Sequence, residues 1–387
     1  DVYKRQIVND TEVWQNTYSV KCTGDTLTSS VNRVYMQEVG NYLCIIDTTN
    51  DEGFTINSST PTVVAQITDV DFPTDLARGA AELKGRLYLL AKDGTVYNSD
   101  SEDPTSWDAL NFINAEMDSD SGKYIIEFNE EIVVFGRRTI QYFWHAANPT
   151  ASPLSPRQDA FHEIGTTDSP TVVKHGDSLY FVGVQPTGNH GVYRMVGHSL
   201  EKISPSSLDA YLSTTEIQSV TTDRSLQASC FSVEGRVFYV LSIFPAATTC
   251  ETFVYDSVSG LWYEWQYDEG TVASGEDPGA YTYHGFPLID VSETTAGPIS
   301  AWGITPIGDI VNVLTDFNDD PTPEIQDFKI LTGNKSFDTN KVKFMSNVSV
   351  DAFITHADRE QSSQTAQLRF YDEGEVDTGG TVTHDIE

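Results

Sequence analysis

The sequence predicts an all-β protein, a β-propeller of about six antiparallel blades followed by a truncated β-sandwich-like segment. Three observations lead to this prediction. Pairs of short apolar segments are joined by tight turns, the pairs recur about every 45 residues, and helical periodicity is confined to one short stretch. A repeat of roughly this length that contains only strands is typical of propeller blades.

Five strand–turn–strand units carry the repeat. In each unit an apolar strand leads into a turn, and Gly, Asn or Asp in that turn accepts the positive φ that a short hairpin requires. The second strands begin near residues 42, 86, 131, 178 and 236. The paired strands cover residues 34–38 and 42–46, 80–83 and 86–90, 124–128 and 131–135, 171–174 and 178–182, and 227–233 and 236–241.

A third apolar segment follows each hairpin. Many of these segments place an aromatic residue beside a β-branched one, as in Val96-Tyr97 and Val254-Tyr255, and both residue types favour strands. Residues 261–265 supply a fourth strand after the last unit. We therefore expect four-stranded antiparallel blades in which the tight hairpin sets the register. The third segments are residues 54–57, 95–98, 139–144, 191–196 and 252–255.

Two stretches depart from the repeat. Residues 204–212 read as a short helix between blades, with Ser204 as the cap and Pro205 at the first helical position. Residues 147–160 are predicted to form an exposed loop, because prolines and polar residues accumulate there. The prolines are Pro149, Pro153 and Pro156.

The pattern weakens after residue 270. Residues 299–304 and 310–314 predict a sixth hairpin, and residues 317–323 predict a boundary. We assign residues 7–320 to the propeller and residues 321–387 to the truncated sandwich-like domain. The strands of this second domain alternate apolar and polar residues, and they cover residues 341–345, 348–352 and 367–371.

The charge of the chain is extreme. Its 387 residues contain 23 Lys and Arg against 57 Asp and Glu, which gives a net charge of −34. Such a surface repels phosphate backbones, so tight nucleic-acid binding is excluded from the expected functions. The charge indicates either a solubility surface or a wall past which nucleic acid slides without binding, and these two interpretations are compatible.

The cysteines indicate neither a zinc site nor a disulfide framework. Residues 22, 44, 230 and 250 are cysteines, without a Cys-x-x-Cys pair or a histidine at metal-ligand spacing. We expect no metal or other cofactor, and folding in a reducing cytoplasm. The sequence contains no apolar run of 18 residues, so it predicts no transmembrane helix. The first six residues look like a translated linker, and the chain reads as a fragment at both ends.

Several residue types raise the question of a binding or catalytic site. Large aromatics could stack sugars or bases, but packing between blades is the favoured interpretation. Acidic loops at residues 118–122 and 316–320 could bind calcium, but solvated loops are favoured. The histidines are scattered and none forms a nucleophile motif, so we predict no catalytic residues and no enzyme. The residues weighed are Trp107, Trp144, Trp262, Trp265, His145, His162, His175, His190, His198 and His284.

Four sets of segments, in order between about residues 80 and 265, carry a family resemblance. They are residues 85–88 with 96–99 and 103–112, residues 131–136 with 138–144, residues 176–183 with 191–194 and 201–204, and residues 235–240 with 253–256 and 260–265. The ordered set resembles the packaged-DNA stabilisation, or tail accessory (tail hub), proteins of short-tailed bacteriophages. That family has no catalytic residues to transfer.

The resemblance implies a structural virion protein of the phage tail that is assembled in the host cytoplasm. It implies a homo-oligomeric ring of six copies beneath the portal, in contact with the portal and adaptor and with distal tail proteins. Such a ring retains packaged DNA and forms part of the ejection channel. Because DNA must pass without sticking, we expect the channel to be lined by acidic and neutral polar side chains.

Two alternatives remain open at this point. A carbohydrate-binding or glycoside-hydrolysing propeller would place aromatics and a carboxylate pair in one funnel. A cellular kelch- or WD40-like interaction scaffold ranks lower, because the repeats lack the Gly-Gly doublets and Trp-Asp endings of those families.

Overall fold

The computed structural model divides the chain into two compact units, residues 1–326 and residues 327–387. The predicted domain assignments, 7–320 and 321–387, stay predictions. The structure describes residues 6–9, 11–15, 20–28, 33–115, 121–167, 170–214, 226–233, 235–246 and 249–265, and strands at 288–292, 300–304, 310–312, 364–368 and 382–386.

Five sheets form the blades of a β-propeller, which confirms the predicted fold class. In each blade the first to fourth strands pair in sequence order and antiparallel. Blade 1 contains Tyr35–Val39, Tyr42–Asp47, Glu52–Asn57 and Val63–Gln66; blade 2 contains Ala81–Leu83, Arg86–Leu90, Thr95–Asp100 and Asp103–Asn114; blade 3 contains Gly122–Phe128, Glu131–Gly136, Ile140–His145 and Leu154–His162; blade 4 contains Val173–His175, Ser178–Val184, His190–Val196 and Ser199–Lys202; blade 5 contains Leu226–Val233, Arg236–Ala246, Thr249–Asp256 and Leu261–Trp265.

Shorter strands complete the described structure. Three of them extend blades 1, 3 and 4, namely Thr23–Gly24, Arg78–Gly79 and Gly165–Thr166. Two three-stranded sheets consist of Gln6–Asn9, Glu12–Gln15 and Val20–Lys21, and of Leu288–Ser292, Ser300–Ile304 and Ile310–Asn312. In the second unit, Gln364–Leu368 pairs antiparallel with Val382–Ile386.

The described residues form five blades, whereas the sequence predicted about six. The predicted sixth hairpin does form, because Ser300–Ile304 pairs with Ile310–Asn312. Its sheet has three described strands rather than four. In the second unit, one predicted strand overlaps Gln364–Leu368, and those predicted at 341–345 and 348–352 lie outside the described residues.

The predicted loop at residues 147–160 is partly wrong. Leu154–His162 is the outer strand of blade 3, and an outer strand tolerates Pro156 because its free edge needs no N–H donor. Residues 146–153 do form a connection without regular structure.

The predicted short helix is confirmed as Ser206–Leu212, but its cap differs from the prediction. Pro205 is the N-cap residue and makes no side-chain cap bond. Ser204 Oγ instead donates to Asp209 and accepts from the backbone N–H of Val192. No helix among the described residues is long and apolar enough to cross a membrane.

Hydrophobic clusters lie between successive blades and form the core. Between blades 1 and 2, for example, Cys44 and Ile46 pack with Leu87 and Trp107. Burial of a side chain as large as leucine or isoleucine contributes about 1.5–3 kcal/mol to the stability of the fold, because the side chain is removed from water. The first strands of blades 1 and 2, of blades 2 and 3, and of blades 4 and 5 contact one another. The first strands therefore lie innermost, around the propeller axis.

One inner segment ties blade 2 to blade 3. Arg78–Gly79 pairs parallel with the first strand of blade 3, while Ala81–Leu83 is the first strand of blade 2. Gly79 has φ +91°, and a Cβ at this position would lie 2.2 Å from the carbonyl oxygen of Ile125. Only glycine fits this close approach without moving the backbone.

Candidate functional site

The inner strands are balanced in charge. Together with Arg78–Gly79, the five first strands carry three carboxylates and three cations, and Lys174 forms an ion pair with Glu127 across blades 3 and 4. These strands line the axis of one propeller, whereas the predicted acidic channel belongs to a ring of several copies, so the acidic channel stays a prediction. The six residues are Glu38, Glu82, Glu127, Arg78, Lys123 and Lys174.

A buried carboxylate joins blades 3 and 4. Glu131 starts the second strand of blade 3, and its side chain is 7% exposed. One carboxylate oxygen accepts from Arg157 Nε on the outer strand of the same blade. The other lies 2.7 Å from His198 Nε2, in a turn of blade 4. Such partners are needed because a buried and unpaired charge is costly.

A second histidine meets the same turn. His162 Nε2 lies 3.0 Å from the backbone oxygen of His198, and the ring of Tyr142 contacts both imidazoles edge-on at 5.9 and 4.8 Å. Burial lowers the pKa of His162. Burial, with a smaller effect from the charge of Glu131, raises the pKa of Tyr142. The Tyr142 hydroxyl donates to Met195 Sδ at 3.2 Å, so the ring is fixed between the blades.

A pocket of ≈ 330 Å³ opens at the hairpin-turn end of blade 3. Trp144 lies directly opposite Glu131 in the paired strands and is 43% exposed. Lys84, in the hairpin turn of blade 2, forms a 3.3 Å ion pair with Glu130 of blade 3. The pocket is lined by Lys84, Asn129, Glu130, Glu131, Trp144, His145 and Arg157.

The hairpin turn beside this pocket contains no glycine. Asn129 and Glu130 have φ of 53° and 59°. The left-handed region costs a residue with a Cβ about 1–2 kcal/mol, and Asn tolerates it better than Glu. The N–H of Glu130 donates to Glu127 Oε1 at 2.9 Å. The hairpin turns of the other blades each contain a glycine at positive φ, namely Gly40, Gly85, Gly176 and Gly235.

The tryptophans singled out from the sequence have different environments. Trp107 is buried, packs edge-on against Phe72 at 5.3 Å and donates to the Pro104 carbonyl at 2.9 Å. Trp262 is half-buried and packs against Tyr255. These two confirm the expected packing role. Trp144 corrects it, because its ring is exposed at the pocket. The side chain of Trp265 lies outside the described residues.

The remaining candidates do not converge on a site. His145 lines the pocket and His162 meets His198, whereas His175 and His190 belong to neither group. Residues 118–120 and 316–320 and His284 lie outside the described residues. Cys22, Cys44 and Cys230 form no disulfide within the described part of the chain. No three His, Cys, Asp or Glu side chains are grouped there as a metal site.

Sequence patterns did not predict that Glu131, Arg157 and His198 meet. The available signal was weak. Glu131 is a charged residue at the start of a strand whose following residues are all buried. That pattern indicates a buried carboxylate but not its partners, because they come from another strand and from another blade.

The sequence of residues 7–259 matches the family model described as "Bacteriophage P22 Gp10, beta-propeller". This match covers well over half of the chain. No curated protein sequence matches it.

Solved structures show a general likeness to the fold. Dihydro-heme d1 dehydrogenase NirN in complex with DHE is 10% identical, with a TM-score of 0.44, over 78% of this chain and 58% of that chain. The computationally designed Ika8 protein is 11% identical, with a TM-score of 0.41, over 78% and 76%. An ancestral GH74 enzyme is 12% identical, with a TM-score of 0.44, over 79% and 42%. The chain thus spans 58% of the first of these proteins, and the likenesses carry no functional argument.

Proposed function

The chain belongs to the phage stabilisation family of the bacteriophage P22 Gp10 β-propeller and is a phage structural protein; we propose that it forms a ring in the tail, beneath the portal. In this role the ring retains packaged DNA and forms part of the ejection channel. The single observation that carries the proposal is the family match over residues 7–259.

The overall charge supports a channel through which DNA passes without sticking. A net charge of −34 gives long-range repulsion of phosphates. In this proposal the acidic side chains on the surface that faces the channel supply the repulsion.

The proposed partners are other copies of the chain, in a ring of six, together with the portal and adaptor and with distal tail proteins. Packaged DNA is a partner only through non-sticking contact in the channel. Assembly takes place in the host cytoplasm, and the mature location is the virion tail. The proposal includes no catalytic step and no cofactor.

The test is cryo-electron microscopy of the protein mixed with the portal–adaptor complex of its own phage. We expect a sixfold ring of propellers docked beneath the adaptor. A protein that stays monomeric and ignores the portal would overturn the ring while leaving the propeller fold intact. If the ring docks but phage particles that lack this protein still retain their packaged DNA, the retention role alone would be overturned.

A further inference from the structure

The pocket at blade 3 presents an aromatic surface to solvent. Trp144 is 43% exposed, whereas the described tryptophans that pack between strands are buried or half-buried. An exposed indole offers a flat apolar face with negative charge density, which attracts the weakly positive edges of C–H groups. Its neighbours Glu131 and Arg157 hold each other in place, so the wall behind the ring is rigid.

The charges that line the pocket cancel. Lys84 and Arg157 are opposed by Glu130 and Glu131, so the pocket favours neither an anion nor a cation. Both carboxylate oxygens of Glu131 are engaged, one by Arg157 and one by His198. Among the described residues Arg157 contributes only Nε to that pair, and its two Nη groups can donate elsewhere.

The strained turn also draws attention to this pocket. Glu130 has φ 59° at the second position of its hairpin turn, where the turns of blades 2 and 5 have Gly85 and Gly235, and this backbone conformation is unfavourable for glutamate. Its carboxylate stands at the pocket, 81% exposed and beside Lys84. A strained residue whose side chain reaches a pocket indicates function rather than stability.

We propose that this pocket binds an uncharged pyranose sugar. One apolar face of the sugar ring packs on the indole of Trp144, and its hydroxyls bond to Arg157 Nη, Asn129 and Glu130. The ≈ 330 Å³ volume lies at the lower end of the range for small-molecule sites, which suits a mono- or disaccharide. This inference is independent of the proposed ring.

The test uses ligand-observed saturation-transfer NMR on the full chain. The probes are methyl α-D-glucopyranoside, methyl β-D-galactopyranoside and methyl α-L-rhamnopyranoside. Sorbitol is the control probe, because it is an acyclic polyol that carries hydroxyls without a rigid apolar ring face. We expect at least one pyranoside to give a signal strongest for the protons of one ring face, and sorbitol to give none. Absence of signal from all three pyranosides would overturn the proposal.

Two variants locate the binding. Trp144→Ala should weaken binding about tenfold or more, which corresponds to about 1.4 kcal/mol, and Leu110→Ala is the matched control. Leu110 is also exposed, at 71%, but lies on the outer strand of blade 2. Equal binding by Trp144→Ala and the unaltered protein would overturn the proposal.

Glu130→Gly separates function from structure. It should raise the thermal midpoint by relieving the backbone strain, and it should weaken pyranoside binding severalfold by removing one hydroxyl partner. A variant that gains stability and keeps full binding would remove Glu130 from the site. A variant that loses stability would refute the argument from strain.

Discussion

The interface between blades 4 and 5 is held by aromatic rings whose polar atoms reach the main chain. Tyr180 and Tyr239 stack at 5.4 Å with 19° between their planes. The Tyr239 hydroxyl donates to the Thr171 carbonyl at 3.1 Å, and Trp262 Nε1 donates to the Ile203 carbonyl at 2.8 Å. Burial raises the pKa of Tyr239 far above its usual value, so these contacts stay neutral.

The interface between blades 3 and 4 shares the aromatic filling but not the polar chemistry. Phe135 packs on Phe181 at 5.0 Å, whereas the polar contacts at the same interface use Glu131, His198 and His162. The difference shows that a propeller interface requires apolar filling to exclude water, while its polar groups are open to variation. Four predictions test this comparison, from the largest expected effect to the smallest.

The aromatic filling should dominate the stability of both interfaces. Tyr239→Ala should lower the free energy of unfolding by about 3–5 kcal/mol, because a large cavity and an unpaired carbonyl remain. Phe181→Ala at the other interface should cost a similar amount. Urea denaturation measures both variants. A loss below about 1 kcal/mol for Tyr239→Ala would show that the stack is not a packed interface.

The buried carboxylate should matter less than the rings. Glu131→Ala should cost about 1–2 kcal/mol, since it removes two hydrogen bonds. Arg157 and His198 are 38% and 44% exposed, so water solvates them in the variant and limits the loss. Denaturant titration of Glu130→Ala is the control, and we expect a change within about 0.5 kcal/mol there. Equal losses for the two variants would contradict the structural role of Glu131.

The two buried tyrosine hydroxyls should differ. Tyr239→Phe should cost about 1 kcal/mol, because the Thr171 carbonyl loses a buried donor. Tyr142→Phe should cost less, because the thioether of Met195 is a weak acceptor. Paired thermal unfolding of the two variants measures the difference. A larger loss for Tyr142→Phe would reverse the comparison.

The blade 3–4 interface should be sensitive to acid. Burial lowers the pKa of His162 from 6.5, so this group stabilises the fold fully above pH 6.5 and loses that contribution as pH falls through its folded pKa. His162→Gln should flatten the pH dependence of unfolding in this window, and His175→Gln is the control. If the free energy of unfolding of His162→Gln depends on pH as steeply as that of the unaltered protein, this histidine does not contribute to the acid sensitivity.

The hairpins were predictable because their determinants are local. The turn of Lys84 and Gly85 appears in the sequence as a polar pair with glycine between two apolar runs, and the structure has it at φ 53° and 78°. The same logic failed at Pro156, where proline indicated a loop. An outer strand accepts proline, and nothing in the local sequence marks a strand as the outer one.

The family resemblance was also accessible from the sequence, because the segments that carry it follow one another in a fixed order between about residues 80 and 265. The exposed ring of Trp144 was not accessible. Aromatics that fill a blade interface and aromatics that face a pocket have the same residue type and the same place in a strand. Whether such a ring is buried or exposed depends on how the adjacent blade packs against it.

Local residue chemistry thus specified the strands, the turns and the net charge, since each depends on near neighbours or on composition alone. The packing of whole blades against one another decided the number of blades and the contact of Glu131 with His198, which are 67 positions apart. Such contacts depend on how whole sheets pack against one another, and the packing energy of sheets is not encoded at any single position.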